Sequence, residues 1–118
     1  MISQLAKSVR ESLSKAFPNT LIKEEEYINY KGQRLFFDFF LPTLGVYVEV
    51  QGIQHTEFNK HFHGDAAAWR ASRKRDRLKE EWCEINEFSL VQINYDEIPM
   101  EHTELLRRVV EVQNGRQD

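Results

Sequence analysis

The stretch Arg34 to His55, RLFFDFFLPTLGVYVEVQGIQH, constrains this chain more than any other part of it. Its first half alternates with a period of two. Leu35, Phe37, Phe39 and Leu41 share one parity, and Phe36, Asp38 and Phe40 share the other, the pattern of a strand over residues 33–41. Pro42-Thr43-Leu44-Gly45 then reads as a turn. A second strand follows over 46–51, with Val46, Val48 and Val50 on an apolar face and Tyr47, Glu49 and Gln51 on the other. Paired as an antiparallel hairpin, the two strands bring one acid from each, Asp38 and Glu49, toward a common point.

Two carboxylates set among phenylalanines and valines need compensation for their charge, and a bound cation supplies it. With a backbone carbonyl such as that of Val50, Asp38 and Glu49 form an all-oxygen donor set, suited to magnesium with manganese as a substitute. The competing reading is a solvated sheet edge whose outer face is merely polar.

The rest of the chain reads as cover for this hairpin. Ile2, Leu5, Ala6, Val9, Leu13 and Ala16 have helical spacing, predicting an amphipathic helix over 2–17 that ends at Pro18-Asn19; Glu11 falls on its polar side. A strand over 20–30 with Leu21, Ile22, Tyr27 and Ile28 apolar leads into a Lys31-Gly32 turn. Glu24, Glu25 and Glu26 interrupt that strand, either as a solvated bulge or with one of them reaching the metal.

Residues 52–64 are irregular and carry His55, His61 and His63, a spacing too loose for a zinc centre without a second ligand pair. Asp65 is a suitable N-cap for a helix over 66–85, with Ala68, Ala71, Leu78, Trp82 and Ile85 expected inward and Arg70, Arg73, Lys74 and Arg77 forming a basic stripe. A buried strand over 88–95 should pair parallel to the Glu49 strand after this crossover. A last helix over 101–113 is expected to bury Leu105, Leu106, Val109 and Val110, with 114–118 as a frayed tail.

At 118 residues and 41% hydrophobic content, the chain suits one domain, 1–118. The single Cys83 excludes an internal disulfide and a cysteine-based zinc motif. No apolar run approaches a membrane span or a signal-peptide core, so a soluble cytoplasmic protein with no membrane partner is expected. A net charge of −3 argues against coating nucleic acid by bulk charge. The charge is uneven, however: between Arg70 and Lys79 only Asp76 is acidic among six cations. Such a stripe beside a carboxylate site offers backbone contacts to DNA.

Asp38 followed eleven residues later by Glu49-Val50-Gln51 resembles the signature of the PD-(D/E)XK nuclease superfamily, with Gln51 where most members have lysine. FDFFLP, VEVQGIQH, the run Arg75 to Lys79, Trp82-Cys83 and LVQINY are together similar to its very-short-patch-repair-like and EDxHD homing-type branch, over about Lys23 to Ile98. The resemblance implies an α/β (α+β), restriction-endonuclease-like αβββαβα fold with a mixed central sheet. It implies a magnesium-dependent endonuclease acting on DNA in a bacterial or phage-infected cell, with Asp38, Glu49, Gln51 and His55 catalytic. His55 would act in proton transfer or phosphate stabilisation. Asp76 and Lys79 stand where the family also has an acid and a base, in a catalytic or a structural role. Many members also use an acid from the first helix, which this chain lacks on its inward face. That gap and Gln51 leave room for a catalytically inactive DNA- or protein-binding module. A purely structural domain is a third reading, and it leaves Asp38 and Glu49 among aromatic residues unexplained. One site in a small chain implies nicking or a symmetric homodimer.

Overall fold

The computed structural model describes residues 3–52 and 66–117. The order of elements is α1 (Gln4–Ala16), β1 (Lys23–Tyr30), β2 (Gln33–Leu41), β3 (Val46–Gln51), α2 (Ala66–Ile85), β4 (Ser89–Asn94), a single 3-10 turn (Tyr95–Glu97) and α3 (His102–Gln117). The strands form one mixed sheet in the order β1-β2-β3-β4, antiparallel up to β3 and parallel between β3 and β4. This is the mixed sheet flanked by helices that the hydrophobic periodicity predicts. No helix among the described residues is long and apolar enough to cross a membrane.

Local chemistry explains the boundaries. The Ser3 side chain accepts the Ala6 N–H at 3.1 Å and starts α1, and the Phe17 N–H closes it on the Leu13 carbonyl at 2.8 Å just before Pro18. Lys31 and Gly32 both have positive φ, 50° and 75°, as a two-residue hairpin turn matched to strand twist requires. Gly45, at φ 66°, ends the β2–β3 turn, and its carbonyl accepts the Ser89 N–H at 2.9 Å, which aligns the start of β4 with β3.

Two cores lie on opposite faces of the sheet. Ala6, Val9 and Leu13 of α1 with Leu105 and Val109 of α3 cover Val46, Val48, Val91 and Ile93 on one face; Leu78 and Cys83 of α2 cover Leu35, Phe37 and Tyr47 on the other. The β3 alternation holds as expected.

The β2 alternation does not. All four of Leu35, Phe37, Phe39 and Leu41 are fully buried, but Leu35 and Phe37 enter the α2 core while Phe39 and Leu41 enter the α1–α3 core. The switch falls at Asp38. The β1–β2 ladder pairs Glu24 with Phe39 and Glu26 with Phe37 but skips Glu25 opposite Asp38, and Glu25 has φ 54°. A bulge-like break of this kind turns the strand over without shifting its register, a feature invisible to a period-two count.

The helices differ from expectation in their buried faces. In α2 the buried residues are Asp76, Leu78, Lys79 and Cys83, while Ala68 and Ala71 are exposed and Ile85 is largely so. The first half of α2 carries no buried residue, so apolar spacing there does not mark a buried face among the described residues. In α3, Leu105 and Val109 are buried but Leu106 and Val110 are exposed, and the helix continues through the expected tail to Gln117. In α1, Leu5 is exposed and Ala16 only half-buried. Tyr27, expected inward on β1, is exposed.

Candidate functional site

The break at Asp38 decides where its carboxylate goes. The β2–β3 register, Phe39 opposite Val48, sets Asp38 opposite Glu49 one step further on. There the ladder gives way to a side-chain contact, the Val50 N–H donating to Asp38 Oδ2 at 2.8 Å. Val50 is thus brought to Asp38 through its amide rather than through the carbonyl expected as a metal ligand.

Glu49 is 5% exposed, on the face of β3 that α2 covers. From α2, Lys79, 9% exposed, donates its ammonium to Glu49 Oε1 at 2.6 Å. The same ammonium lies 5.5 Å from the centre of the Phe37 ring. Asp76, 8% exposed, sits one helical turn before Lys79, and the Arg73 guanidinium is 3.7 Å from its Oδ2. Burial pushes the Glu49 carboxyl above the usual carboxylate range; Lys79 pulls it down, and the nearby charges of Asp38 and Asp76 push it up again.

Three carboxylates and one ammonium therefore act on one another at the end of β3. The donor chemistry fits a hard divalent ion, since Asp38 and Glu49 offer oxygens, with Lys79 on Glu49 and Arg73 near Asp76 as cations beside them. Among the described residues, no three acid, imidazole or thiol groups gather into a metal-holding set. Gln51 ends β3, half-buried, two residues beyond Glu49 on the same strand face. Glu11 is exposed on α1, and Glu24 pairs with Arg10 at 2.5 Å, so neither joins the site. His55, His61, His63 and Asp65, the expected N-cap, lie outside the described residues.

Arg70, Arg73, Lys74 and Arg77 are all exposed on α2. Arg70, Lys74 and Arg77 follow one another at helical spacing, while Arg73 turns toward Asp76 and lies 5.5 Å from the Trp69 ring. The bond between Lys79 and Glu49 is the contact that reading the sequence misses. Its trace was the lone acid Asp76 in a basic run, three residues before a lysine and seven before Cys83, which together mark a helical face of their own.

The chain matches no family model and no solved structure. Two curated viral proteins are similar to part of it. Uncharacterized protein 033L of Invertebrate iridescent virus 3 is 39% identical over 64 residues, 54% of this chain and 33% of that protein. Uncharacterized protein 307L of Invertebrate iridescent virus 6 is 38% identical over 58 residues, 49% of this chain and 29% of that protein. The match spans about a third of the length of these relatives.

Proposed function

We propose that this domain is a metal-dependent endonuclease of restriction-endonuclease-like fold that hydrolyses DNA phosphodiester bonds. The observation that carries the reading is the buried Lys79–Glu49 contact beside Asp38, an acid, acid and base assembled from β2, β3 and α2. The element order α-β-β-β-α-β-α and the sheet order β1-β2-β3-β4 support it further.

Asp38 and Glu49 would hold the ion, magnesium or manganese, which when bound supplies charge neutralisation at the phosphate and a more acidic attacking water. Lys79 takes the part that Gln51, being uncharged, cannot. Its ammonium, tethered at Glu49, can orient the attacking water or meet a phosphate oxygen, and Gln51 adds a neutral hydrogen-bonding group. His55 would act in proton transfer or in stabilising the phosphate. Arg70, Lys74 and Arg77 would track the DNA backbone and offset its repulsion from the acids. The two relatives from invertebrate viruses support a setting inside an infected cell. A homodimer would place two sites on opposite strands.

Cleavage of supercoiled plasmid with magnesium, manganese or chelator tests the reading. Wild type should cut only with metal, and Asp38→Ala, Glu49→Ala and Lys79→Met should each lose at least about a hundredfold in rate, as removal of a charge-stabilising group typically does. Metal-dependent cutting that survives Asp38→Ala in a folded protein would exclude this site.

A second reading, a nuclease-like module that binds DNA or protein without cutting, is favoured by one observation. Lys79 already compensates Glu49, so the acid needs no metal to be buried. Under that reading Lys79→Met costs about 3–5 kcal/mol by stranding Glu49, and Lys79→Met with Glu49→Leu restores most of it. Divalent ions would then leave the thermal midpoint unmoved, whereas a metal site raises it with the logarithm of ion concentration above Kd.

A further inference from the structure

The two edges of the sheet are built differently. Strand β1 forms one edge and carries Lys23, Glu24, Glu25 and Glu26 with the break at Glu25; charges and bulges are the usual means by which an edge strand avoids pairing. Strand β4, SLVQIN, forms the other and has no charged residue and no proline. The direction of its backbone follows from its two ends. The Ser89 N–H points at β3, where it meets the Gly45 carbonyl at 2.9 Å, so the alternate residues Leu90, Gln92 and Asn94 turn their N–H and C=O groups to the free edge. At Asn94 that edge is closed by the chain itself, since its N–H meets Glu97 Oε1 at 3.1 Å and Arg108 holds the other Glu97 oxygen. At Leu90 and Gln92 no strand pairs on that side among the described residues.

A groove runs along this stretch. Toward α2, a cleft of about 510 Å³ is lined by Glu80, Cys83 and Glu84; toward α3, one of about 310 Å³ is lined by Arg107, Arg108 and Glu111. Leu90, Gln92 and Val112 border both, so the two clefts are halves of one groove with the β4 edge as its floor. An extended segment laid along it would add a strand to the sheet. The walls select its charge. Arg107 and Arg108 are engaged by Glu104, Glu111 and Glu97, whereas Glu80 and Glu84, one turn apart on α2, are exposed and form no ion pair with another described residue. A second copy adding its own β4 antiparallel across a two-fold axis would set α2 beside α2, acids against acids. A basic segment meets the opposite condition.

We infer that the β4 edge is a docking site for an extended segment of a partner protein in which basic residues alternate with apolar ones. Leu90 and Gln92 each offer it one main-chain donor and one acceptor. The pattern follows from the faces of β4, where Leu90 packs toward α2 and Val91 toward α3. Residues paired with Leu90 and Gln92 fall beside Glu80 and Glu84 and take lysine or arginine; the residue between them, opposite Val91, falls beside Val112 and takes a β-branched side chain. The inference does not depend on the nuclease reading, because none of these groups takes part in the proposed chemistry.

Fluorescence anisotropy at low salt, with a labelled peptide alternating lysine and valine and a counterpart carrying glutamate for lysine, tests it together with amide hydrogen exchange followed by NMR. The lysine peptide should bind and should slow exchange of the Leu90 and Gln92 amides. The glutamate peptide should bind roughly tenfold more weakly, two surface ion pairs having become two repulsions. Glu80→Lys combined with Glu84→Lys, both at exposed positions, should invert that preference. N-methylation along one backbone edge of the lysine peptide keeps its charge and should abolish binding, which separates strand pairing from attraction to an acidic protein. Equal binding of the two peptides, an unchanged preference in the folded double variant, binding that survives N-methylation, or binding that leaves the Leu90 and Gln92 amides exchanging freely would overturn the inference. Slow exchange of these amides in the free protein would overturn it too: protection lost on dilution assigns the edge to a second copy, and protection at every dilution assigns it to the chain itself.

Discussion

Glu49 shows most directly how single residues behave at this site. Its carboxyl titrates above the usual range because removal from water penalises the charged form more than the Lys79 ammonium rewards it, with Asp38 and Asp76 adding to the penalty. The consequence for stability has a definite sign. With a folded pKa above the unfolded one, the folded chain keeps a proton that the unfolded chain has released. The resulting stabilisation is complete below the ordinary carboxylate range and is lost as pH rises through the raised value. Glu49→Gln, neutral at every pH, removes this dependence. Urea melts of the two proteins between about pH 4 and pH 8 should show wild type losing stability relative to the variant as pH rises. A difference that moves the other way would mean that Lys79 outweighs burial. Asp38, named by alternation with Glu49, adds to the negative charge that Glu49 feels, but the partners of the two acids did not show in the sequence. A lysine thirty positions away carries no local signal of which carboxylate it will reach.

At the scale of elements, α2 is divided in function along its length. The buried residues, Asp76, Leu78, Lys79 and Cys83, all fall in its second half, while Arg70 and Lys74 in the first half and Arg77 in the second face solvent. Periodicity located the helix and the inward Leu78 and Trp82 but not the exposed Ala68, Ala71 and Ile85, because alanines satisfy an apolar template whether or not a core lies beneath them. The basic stripe makes a quantitative prediction. If these three side chains each neutralise one phosphate of duplex DNA, their joint replacement by glutamine should reduce the slope of log affinity against log salt by about 2.7, at ~0.9 per contact. Anisotropy titrations over a salt series measure it. An unchanged slope would mean that the stripe is solvated surface and that DNA, if bound, is held elsewhere.

At the scale of the molecule, one sheet separates two cores that share strands β2 and β3. Phe37 belongs to the α2 core and Phe39 to the α1–α3 core, two residues apart on one strand. The shared strands couple the cores, so the chain should unfold in one cooperative step. Phe37→Ala and Phe39→Ala should each lower the same single transition by about 3–5 kcal/mol, monitored by circular dichroism and tryptophan fluorescence. A transition split by either substitution would show that the two layers fold separately.

The local grammar of the chain was enough to determine the seven principal elements, the turns at Lys31-Gly32 and Pro42 to Gly45, and the parallel return of β4. Periodicity, turn chemistry and the length of a crossover act between near neighbours and need no knowledge of the rest. Tertiary structure alone decided the reversal of β2 at Asp38, the polar face on which α2 packs, and the capture of Glu49 by Lys79. Each depends on which surfaces remain uncovered once the sheet has formed, and that is set by contacts between residues far apart in the chain.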